Sequence, residues 1–252
     1  MSEFRYVDEA WGFIPARGGS KSIPKKNLVL LGGRPLLDYV VMAGQKSGAL
    51  SRIIGSTDDP EILAHMSELG ISAHKRPPEL ATDDAPVKAA VVHLLNSVAA
   101  AGEALPEFLV LLQPTSPFLL PEHVRAVVER LRAEPEAGSC QTVISCPHNS
   151  HAVNQRSFGD GNVRFVFEVE RELAYNKQRK QEHFLFGNLI ATRTRRLMAG
   201  ESLFAAPSAG VKIPRIYGFD LDDSNDLIIA EALLAHRVVT MPHLTSSTHM
   251  ES

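Results

Sequence analysis

The sequence of 252 residues has little of what marks several common classes of protein. Its two cysteines, Cys140 and Cys146, have a spacing that fits no common zinc or redox motif, so buried free thiols are expected. Its net charge of −3 provides no basic footprint of the kind that nucleic-acid-binding domains carry. We therefore expect no nucleic acid among its partners.

Long apolar runs are also missing. The longest apolar region, residues 87–101, is interrupted by Lys88, His93 and Asn96 and is too short to cross a bilayer. The first ten residues carry acidic side chains and no apolar core segment, so they are not expected to be a signal peptide. Because 44% of the residues are hydrophobic and 22% are charged, the composition is typical of a globular protein. We expect a cytoplasmic protein that binds no membrane.

No linker or internal repeat divides the chain, so one domain is expected over residues 1–240, with a disordered tail at 241–252. Short apolar runs alternate with helical patterns. Strands are predicted at residues 11–15, 52–56, 71–74, 108–112 and 141–145. Helices are predicted at residues 60–69, 87–101, 121–132 and 225–236. This alternation is typical of β-α-β units and predicts an α/β fold with a doubly wound, mostly parallel sheet.

The pattern changes after residue 146. Asp160-Gly161-Asn162 is a turn signal that leads into residues 163–169, where apolar side chains alternate with charged ones. We predict an antiparallel hairpin there, forming an arm within residues 147–185, and a return strand at 184–192. Because such an arm is too small to bury its own apolar stripe, we expect it to pack against a second subunit.

The segment after the first predicted strand carries the strongest chemical signal. Residues 14–28 have the sequence IPARGGSKSIPKKNL. Glycines let a backbone approach a phosphate closely, and the cationic side chains can neutralise a polyphosphate. These cations are Arg17, Lys21, Lys25 and Lys26. The two common phosphate-loop patterns, GxxxxGK[ST] and GxGxxG, are both absent. A solvated basic turn would have a similar composition, so this segment alone leaves both interpretations open.

The order of residues in this segment resembles the N-terminal signature of the CMP-sialic acid synthetases, also called acylneuraminate cytidylyltransferases. Three further motifs resemble the same family in the same order: RPPELATD at 76–83, LLQPTSP at 111–117 and FDLD at 219–222. The resemblance implies a fold of the nucleotide-diphospho-sugar transferase type, with CTP as nucleotide and Mg²⁺ as cofactor. It also implies a homodimer in which the arm of one subunit reaches into the site of the other.

The family's motifs assign roles to matching positions of this sequence. The resemblance implies that the first loop holds the CTP phosphates, that Asn27 and Arg76 recognise the nucleotide, and that Gln113 faces a sugar hydroxyl. The implied catalytic residues are Arg17, Lys26 and Asp222. The implied substrate-binding residues are Ala16, Ser20, Lys21, Asn27, Arg76, Gln113, Lys177 and Arg179. Lys177 and Arg179 belong to the arm region and are expected to meet the acid substrate bound by the other subunit.

Asp220 and Asp222 also suggest a metal site by their own chemistry. They lie two residues apart, so in an extended segment they face the same side. Adjacent carboxylates repel each other unless a cation lies between them, and their hard oxygens suit Mg²⁺. A solvated acidic turn is the alternative, and it describes the neighbouring Asp223 and Asp226 well. The resemblance assigns the metal to Asp220 and Asp222.

The sugar-binding half matches the family less well. Asn154 takes the position of one basic residue of the sialic acid-using members, Lys177 takes the position of another, and their Asn-Gly pair is reversed as Gly187-Asn188. We expect an enzyme that joins CTP to a 2-keto-3-deoxy sugar acid, giving a CMP-sugar and pyrophosphate. Sialic, legionaminic, pseudaminic or a more distant acid all remain open. The alternatives are another acceptor, such as a shorter sugar acid, a sugar phosphate or a phosphonate, or nucleotide binding without turnover.

Overall fold

The computed structural model describes residues 4–173 and 182–244. The helices in these ranges are α1 (Leu36–Lys46), α2 (Pro60–Glu68), α3 (Val87–Ala100), α4 (Pro121–Ala133), α5 (Glu168–Leu173), α6 (Thr194–Met198) and α7 (Ser224–Ala235). The strands are β1 (Tyr6–Pro15), β2 (Leu30–Leu31), β3 (Arg34–Pro35), β4 (Arg52–Thr57), β5 (Ser72–Lys75), β6 (Leu105–Leu111), β7 (Ser139–Ser145), β8 (Arg156–Gly159), β9 (Asn162–Phe165), β10 (Phe184–Arg193) and β11 (Ser208–Lys212).

Seven of these strands form one sheet in the order β11-β7-β10-β6-β1-β4-β5. Neighbouring strands are parallel throughout, except that β10 runs antiparallel to both β6 and β7. The predicted mostly parallel α/β sheet is therefore confirmed. Strand β11 was not predicted, because its sequence SAGVK contains a single large apolar residue and gives no apolar run.

Helices cover both faces of the sheet, which confirms the doubly wound arrangement. Successive side chains of a strand point to opposite faces, so Phe13 and Ile14 of β1 enter different clusters. Ile14 packs with residues of α1, α2 and α4, and Phe13 packs with residues of α3 and α6. Both side chains are fully buried, as expected for a strand that is covered on both faces.

A third apolar cluster joins the end of the chain to its beginning. Leu221, just before α7, is fully buried with Tyr39 of α1 and Phe118, which follows β6. The backbone N–H of Leu221 also donates to the carbonyl oxygen of Thr115 at 2.7 Å. Residues 219–222 are therefore fixed beside the carboxyl end of β6, although they are more than a hundred residues away in sequence.

The predicted arm begins as a hairpin. Strands β8 and β9 pair antiparallel, and the turn residues Asp160 and Gly161 have φ angles of 52° and 73°. Positive φ at both central positions is typical of the type I′ turn that matches the twist of a hairpin. The turn that was predicted from Asp160-Gly161-Asn162 is therefore confirmed.

The predicted extension of this hairpin to residue 169 is wrong. Strand β9 ends at Phe165, and the chain turns into α5. The guanidinium of Arg171 lies 3.9 Å from the centre of the Phe165 ring and donates to Asn154 Oδ1 at 2.7 Å. These tertiary contacts hold residues 168–173 as a helix against the hairpin. They cannot be predicted from the alternation of apolar residues along the sequence.

Part of the predicted disordered tail is described. Met241 is almost fully buried and Pro242–Leu244 form a 3-10 turn, whereas residues 245–252 lie outside the described residues. No helix within residues 4–173 and 182–244 has both the length and the apolar composition needed to cross a bilayer.

A buried polar cluster ties β10 to the segment before α7. Asn188 Nδ2 donates to the carbonyl oxygen of Tyr217 at 2.9 Å, and Thr142 Oγ1 donates to Asn188 Oδ1 at 3.0 Å. Nδ1 of His123 accepts from the N–H of Leu120 at 3.3 Å and lies 3.1 Å from Asn188 Nδ2. Burial lowers the pKa of His123 to about 4 from an ordinary value of 6.5, so the fold requires the neutral ring.

The pKa of His123 predicts a loss of stability in acid. Because the folded pKa lies below the unfolded one, the contribution is present above pH 6.5 and is lost as the pH falls towards 4. It amounts to about 3 kcal/mol of unfolding free energy. His123→Asn keeps an acceptor but cannot titrate, so urea unfolding between pH 7 and 4 should show a smaller acid loss. The exposed His236→Asn is the control; an unchanged acid loss in His123→Asn would contradict this assignment.

Candidate functional site

The predicted phosphate loop, which follows β1, is held against the turn between β4 and α2. The N–H of Ala16 donates to the carbonyl oxygen of Ser56 at 3.0 Å, and the N–H of Gly18 donates to Asp58 Oδ1 at 2.9 Å. A Cβ atom on Gly18 would lie only 2.7 Å from the Cβ of Asp59, so glycine is required there. Ala16 is fully buried and supports the loop from beneath.

An open cleft of about 610 Å³ lies above this loop. The predicted site residues that line it are Arg17, Ser20, Lys21, Lys26, Asn27, Arg76, Gln113 and Asp222. Ala16 lies beneath the loop and Asp220 lies beside the cleft. Lys177 and Arg179 lie outside the described residues, so their predicted role stays a prediction.

Three of the lining residues follow the carboxyl ends of parallel strands. Arg17 comes after β1, Arg76 directly after β5, and Gln113 shortly after β6. Since β1 and β6 pair parallel, and β4 joins β1 to β5 in the same sense, these strand ends meet at one edge of the sheet. Ligands of open α/β sheets bind at this edge. The sequence-based placement of these three residues on one rim is therefore confirmed.

Two cations of the loop are paired with an acidic side chain of the facing segment. Arg17 Nη1 lies 2.6 Å from Asp83 Oδ1, and Lys21 Nζ lies 2.5 Å from Asp83 Oδ2. The hydrogen bond from Lys21 is the largest of the effects that lower the pKa of Asp83, and Arg17 acts in the same direction. Asp83 is thus an internal counter-ion for a loop that has the composition of an anion site.

Lys25 does not belong to the cleft. Its ammonium group pairs with Glu61 of α2, and that hydrogen bond raises the pKa of Lys25. The backbone at Lys25 is left-handed, with φ 50° and ψ 41°, and the next residue, Lys26, lines the cleft. The four cations suggested by the sequence are therefore reduced to three at the site.

Lys26 joins the loop to the segment before α7. Its Nζ donates to the carbonyl oxygens of Leu221 at 2.9 Å and Asp222 at 3.0 Å, and it lies 3.6 Å from Asp222 Oδ1. Ser22 Oγ donates to the same Asp222 carbonyl at 2.6 Å. The Lys26 side chain is only 14% exposed, whereas that of Asp222 is 78% exposed. The contact therefore fixes the backbone of the acidic segment and leaves the Asp222 carboxylate open to the cleft.

Asp220 and Asp222 place two carboxylates in each other's electric field. Asp220 is accessible to solvent, yet protein atoms surround much of its carboxyl group. This desolvation is the main effect that raises the pKa of Asp220; a hydrogen bond with Thr115 opposes it, and the charge of Asp222 adds to it. The pair carries the repulsion that a bound cation relieves.

Asp223 and Asp226 have a structural role. Asp223 Oδ1 accepts from the N–H groups of Asn225 at 2.7 Å and Asp226 at 3.1 Å. In return, Asp226 Oδ2 accepts from the N–H groups of Asp222 at 2.9 Å and Asp223 at 3.0 Å. This reciprocal cap begins α7 and fixes the backbone at Asp222. In the described part of the chain, no group of three or more His, Cys, Asp or Glu side chains is arranged to hold a metal ion.

The residues predicted to recognise the nucleotide, Asn27 and Arg76, and the residue predicted to face the sugar, Gln113, bond to backbone groups or through their own backbone. Asn27 Nδ2 donates to the carbonyl oxygen of Arg17 at 2.8 Å, so Asn27 also closes the loop. Arg76 is nearly fully buried, and its Nη2 donates to the carbonyl oxygen of Ser56 at 2.9 Å. Gln113 lines the opposite wall, where its backbone carbonyl accepts from the N–H of Ser116 at 2.9 Å. The contacts of Asn27 and Arg76 orient their side chains before any ligand binds, whereas the contact of Gln113 fixes its backbone.

Three residues that shape the cleft were not among the predicted site residues: Ser22, Asp83 and Thr115. Asp83 closes the RPPELATD motif and has the charge opposite to the loop, so a search for a counter-ion within the motifs would have found it. Ser22 and Thr115 are hydroxyl side chains in loops. Their contacts to residues 220–222 join positions that are far apart in the sequence and leave no local signal.

Comparison with known proteins relates this chain to one group of enzymes. A family model described as cytidylyltransferase matches residues 11–185. A CMP-N,N'-diacetyllegionaminic acid synthase of Legionella pneumophila is 28% identical over 224 residues, which are 88% of this chain and 94% of that protein. An N-acylneuraminate cytidylyltransferase of Escherichia coli is 28% identical over 218 residues, 86% of this chain and 50% of that protein. This chain thus spans about half the length of the Escherichia coli relative.

Solved structures share the fold. A CMP:2-keto-3-deoxy-manno-octonic acid synthetase complexed with CTP matches with a TM-score of 0.69 and 17% identity, over 91% of this chain and 100% of that one. A 4-diphosphocytidyl-2C-methyl-D-erythritol synthase of Anaerococcus prevotii matches with a TM-score of 0.60 and 14% identity, over 90% of this chain and 99% of that one. At these identities the likeness concerns the fold alone.

The pairing of Asp83 with Arg17 and Lys21 predicts competition with an anionic ligand. Asp83→Asn should bind inorganic tripolyphosphate more tightly, on the order of fivefold, because the ligand no longer displaces an internal carboxylate. Isothermal titration calorimetry at low salt measures the change. The neighbouring Asp84→Asn is the matched control, since Asp84 is exposed and outside the cleft. Weaker binding by Asp83→Asn would mean that Asp83 supports the loop instead of competing for it.

Proposed function

Because this chain belongs to the cytidylyltransferase family, we propose that it transfers CMP from CTP to a 2-keto-3-deoxy sugar acid and releases pyrophosphate. The proposed acceptor is a nonulosonic acid, since the curated relatives are named for N-acylneuraminate and N,N'-diacetyllegionaminic acid. One observation carries the proposal: the cleft brings a basic loop together with Asp222, whose carboxylate lies in the electric field of the neighbouring Asp220. The loop suits a triphosphate, and the carboxylates suit the cation that accompanies it.

The loop supports binding of the triphosphate through charge and through open backbone. Arg17, Lys21 and Lys26 line the cleft with positive charge. Apart from Gly19 itself and its two chain neighbours, no atom of the described residues lies within 4 Å of the position that a Cβ would take on Gly19, so a phosphate can approach the backbone there. Charge-assisted hydrogen bonds from these groups would hold the triphosphate against the loop.

Asp220 and Asp222 fit Mg²⁺ by their chemistry. Both supply hard oxygen donors, their mutual repulsion favours a cation, and Asp222 is open to the cleft. Two carboxylates suffice for a cation that usually keeps several waters and binds substrate phosphates. We propose that these two residues hold the ion, which would neutralise charge on the triphosphate and on the departing pyrophosphate.

The proposed reaction is an in-line transfer at the α-phosphorus of CTP. The anomeric hydroxyl oxygen of the acid forms a bond to this phosphorus, and the bond from phosphorus to the bridging oxygen breaks. The bridging oxygen leaves with the electron pair as part of pyrophosphate, whose charge Arg17 and Lys21 neutralise. Gln113 would hold a sugar hydroxyl, and the exposed carboxylate of Asp222 would accept the proton of the attacking hydroxyl.

Replacement of Asp222 tests this proposal. Asp222→Asn should lower pyrophosphate release by on the order of 100-fold, because the amide keeps the shape but loses the charge that holds Mg²⁺ and accepts the proton. A coupled pyrophosphate assay with CTP, a nonulosonic acid and varied MgCl₂ measures the rate, and Asp84→Asn is the control. A folded Asp222→Asn variant with the wild-type rate and metal requirement would contradict the proposal.

The same assay with a panel of acceptors tests the substrate class. N-acetylneuraminic, legionaminic and pseudaminic acids are compared with an eight-carbon 2-keto-3-deoxy acid, a sugar phosphate and a phosphonate. We expect release with at least one nonulosonic acid and none with the phosphate or phosphonate. Pyrophosphate release only with the sugar phosphate or the phosphonate would favour another acceptor. CTP binding without pyrophosphate release would favour a non-catalytic nucleotide-binding protein.

We further propose that the chain acts as a homodimer joined through the arm. Large apolar side chains are exposed on β8, β9 and α5 and at the start of β10: Phe158, Val163, Val169, Leu173, Phe184 and Leu185. Phe167 of the arm shares a groove with Phe184 and Leu185. Exposed apolar surface that spans neighbouring elements in this way is typical of a subunit interface.

The dimer is tested by light scattering at micromolar concentration. We expect the wild type to have twice the mass of the chain, and Phe158→Glu to be monomeric, because a charge within an apolar interface is costly to bury. Ile228→Glu is the control, since Ile228 is an exposed apolar residue of α7, away from the arm. A wild type that is a uniform monomer would contradict the proposal.

A further inference from the structure

A row of hydrogen-bonded side chains runs from Arg76, in the wall of the cleft, to α3. Arg76 Nε donates to Ser56 Oγ at 3.2 Å. Ser56 Oγ lies 3.1 Å from His74 Nδ1, and His74 Nε2 lies 3.1 Å from His93 Nδ1. The row follows from the fold, because the register of β4 and β5 places Ser56 directly opposite His74. The rings of His74 and His93 then meet with their centres 5.1 Å apart.

The chemistry of the two ends sets the direction of this row. A guanidinium group can only donate, so Ser56 Oγ accepts from Arg76. Ser56 is fully buried, and its hydroxyl hydrogen has no acceptor other than His74 Nδ1 among the described residues. We therefore assign the proton of His74 to Nε2, from which it points to Nδ1 of His93. In this arrangement every link carries one hydrogen, and both rings are neutral.

We propose that Ser56, His74 and His93 are positioning residues that hold the guanidinium of Arg76 in the orientation that CTP requires, and that protonation of His74 releases it. The proposal rests on the proposed function, since Arg76 is taken to contact the nucleotide. Ser56 holds Arg76 through two contacts, at Nε and at Nη2, so the edge that includes Nη1 is left for the cleft. Rotation of Ser56 would loosen one of these contacts.

The surroundings of His74 favour its neutral ring. Burial lowers the pKa of His74, and the nearby His93 and Arg76 lower it further. The charged groups that face Arg76 itself are Asp58, which favours its charge, and Arg17, which opposes it. Acid would place a proton on Nδ1 of His74, which now accepts a hydrogen bond from Ser56. The Nδ1–H of His74 and the hydroxyl hydrogen of Ser56 would then face each other as two donors, and Ser56 would lose its acceptor.

The first test uses the ligand-free protein and needs no CTP. Nitrogen-15 NMR of the histidine rings should find His74 and His93 neutral at pH 7.5, with the proton on Nε2. The Nε–H of Arg76 should exchange with solvent at least fivefold faster in His74→Leu than in the wild type. Rings with the proton on Nδ1, or an unchanged Arg76 exchange rate, would overturn the proposal whatever the protein binds.

The second test measures CTP affinity by calorimetry at pH 7.5. We expect His74→Leu to weaken binding about tenfold, because Ser56 loses its acceptor, and His74→Asn, which keeps an acceptor at the Nδ1 position, to stay within about threefold of the wild type. His65→Leu is the control, since His65 is also a partly buried, hydrogen-bonded histidine but pairs with Asp38, away from the cleft. Wild-type affinity in His74→Leu, or equal losses in the Leu and Asn variants, would overturn the proposal.

The dependence on pH separates positioning from simple packing. Between pH 7.5 and 5.0, the affinity of the wild type should fall by more than that of His74→Asn. The ratio of the two affinities is compared between the two pH values, because the titration of CTP itself affects both proteins equally and cancels. A constant ratio would overturn the protonation part of the proposal. If the wild type binds no CTP while the NMR results hold, the proposed function fails and the positioning of Arg76 stands.

Discussion

The site depends on the hydrogen bonds that Lys26 donates to the backbone of Leu221 and Asp222. These contacts join the loop after β1 to a segment that lies 195 residues further along the chain. The apolar burial of Leu221 brings the segment to the edge of the sheet, and the ammonium group of Lys26 then fixes its backbone. Because carbonyl oxygens take up the charge of Lys26, the carboxylate of Asp222 stays open to the cleft.

The fold also supplies partners for the other cations of the loop. These partners explain how a protein with a net charge of −3 keeps a dense group of cations stable before a ligand binds. Arg17 and Lys21 share Asp83, and Lys25 pairs with Glu61. Asp83 lies in the segment before α3 and Glu61 lies on α2, so the segments around the loop supply the counter-charges. A triphosphate has to replace only Asp83, because Lys26 is already held by backbone oxygens.

The sheet, its helices and the rim of the cleft were predictable because buried strands and amphipathic helices leave periodic patterns, and loop residues follow strand ends. Strand β11 was not, since its small residues pair at the sheet edge without an apolar run. Nor was α5, whose contacts to Phe165 and Asn154 are tertiary. At the site, motif order identified the lining residues. The partner of each charge was not predictable, because Lys25 and Lys26 are identical neighbours in sequence and only the folded backbone separates them.

The effect of Mg²⁺ on the CTP affinity of Lys26→Met tests most directly whether Lys26 holds the carboxylate segment at the loop. If Lys26 holds the carboxylate segment at the loop, Mg²⁺ should strengthen CTP binding in the wild type, and most of that strengthening should be lost in Lys26→Met. Lys25→Met removes the same charge from the preceding residue, which pairs away from the cleft, and should respond to Mg²⁺ like the wild type. An equal Mg²⁺ effect in Lys26→Met and the wild type would contradict the account.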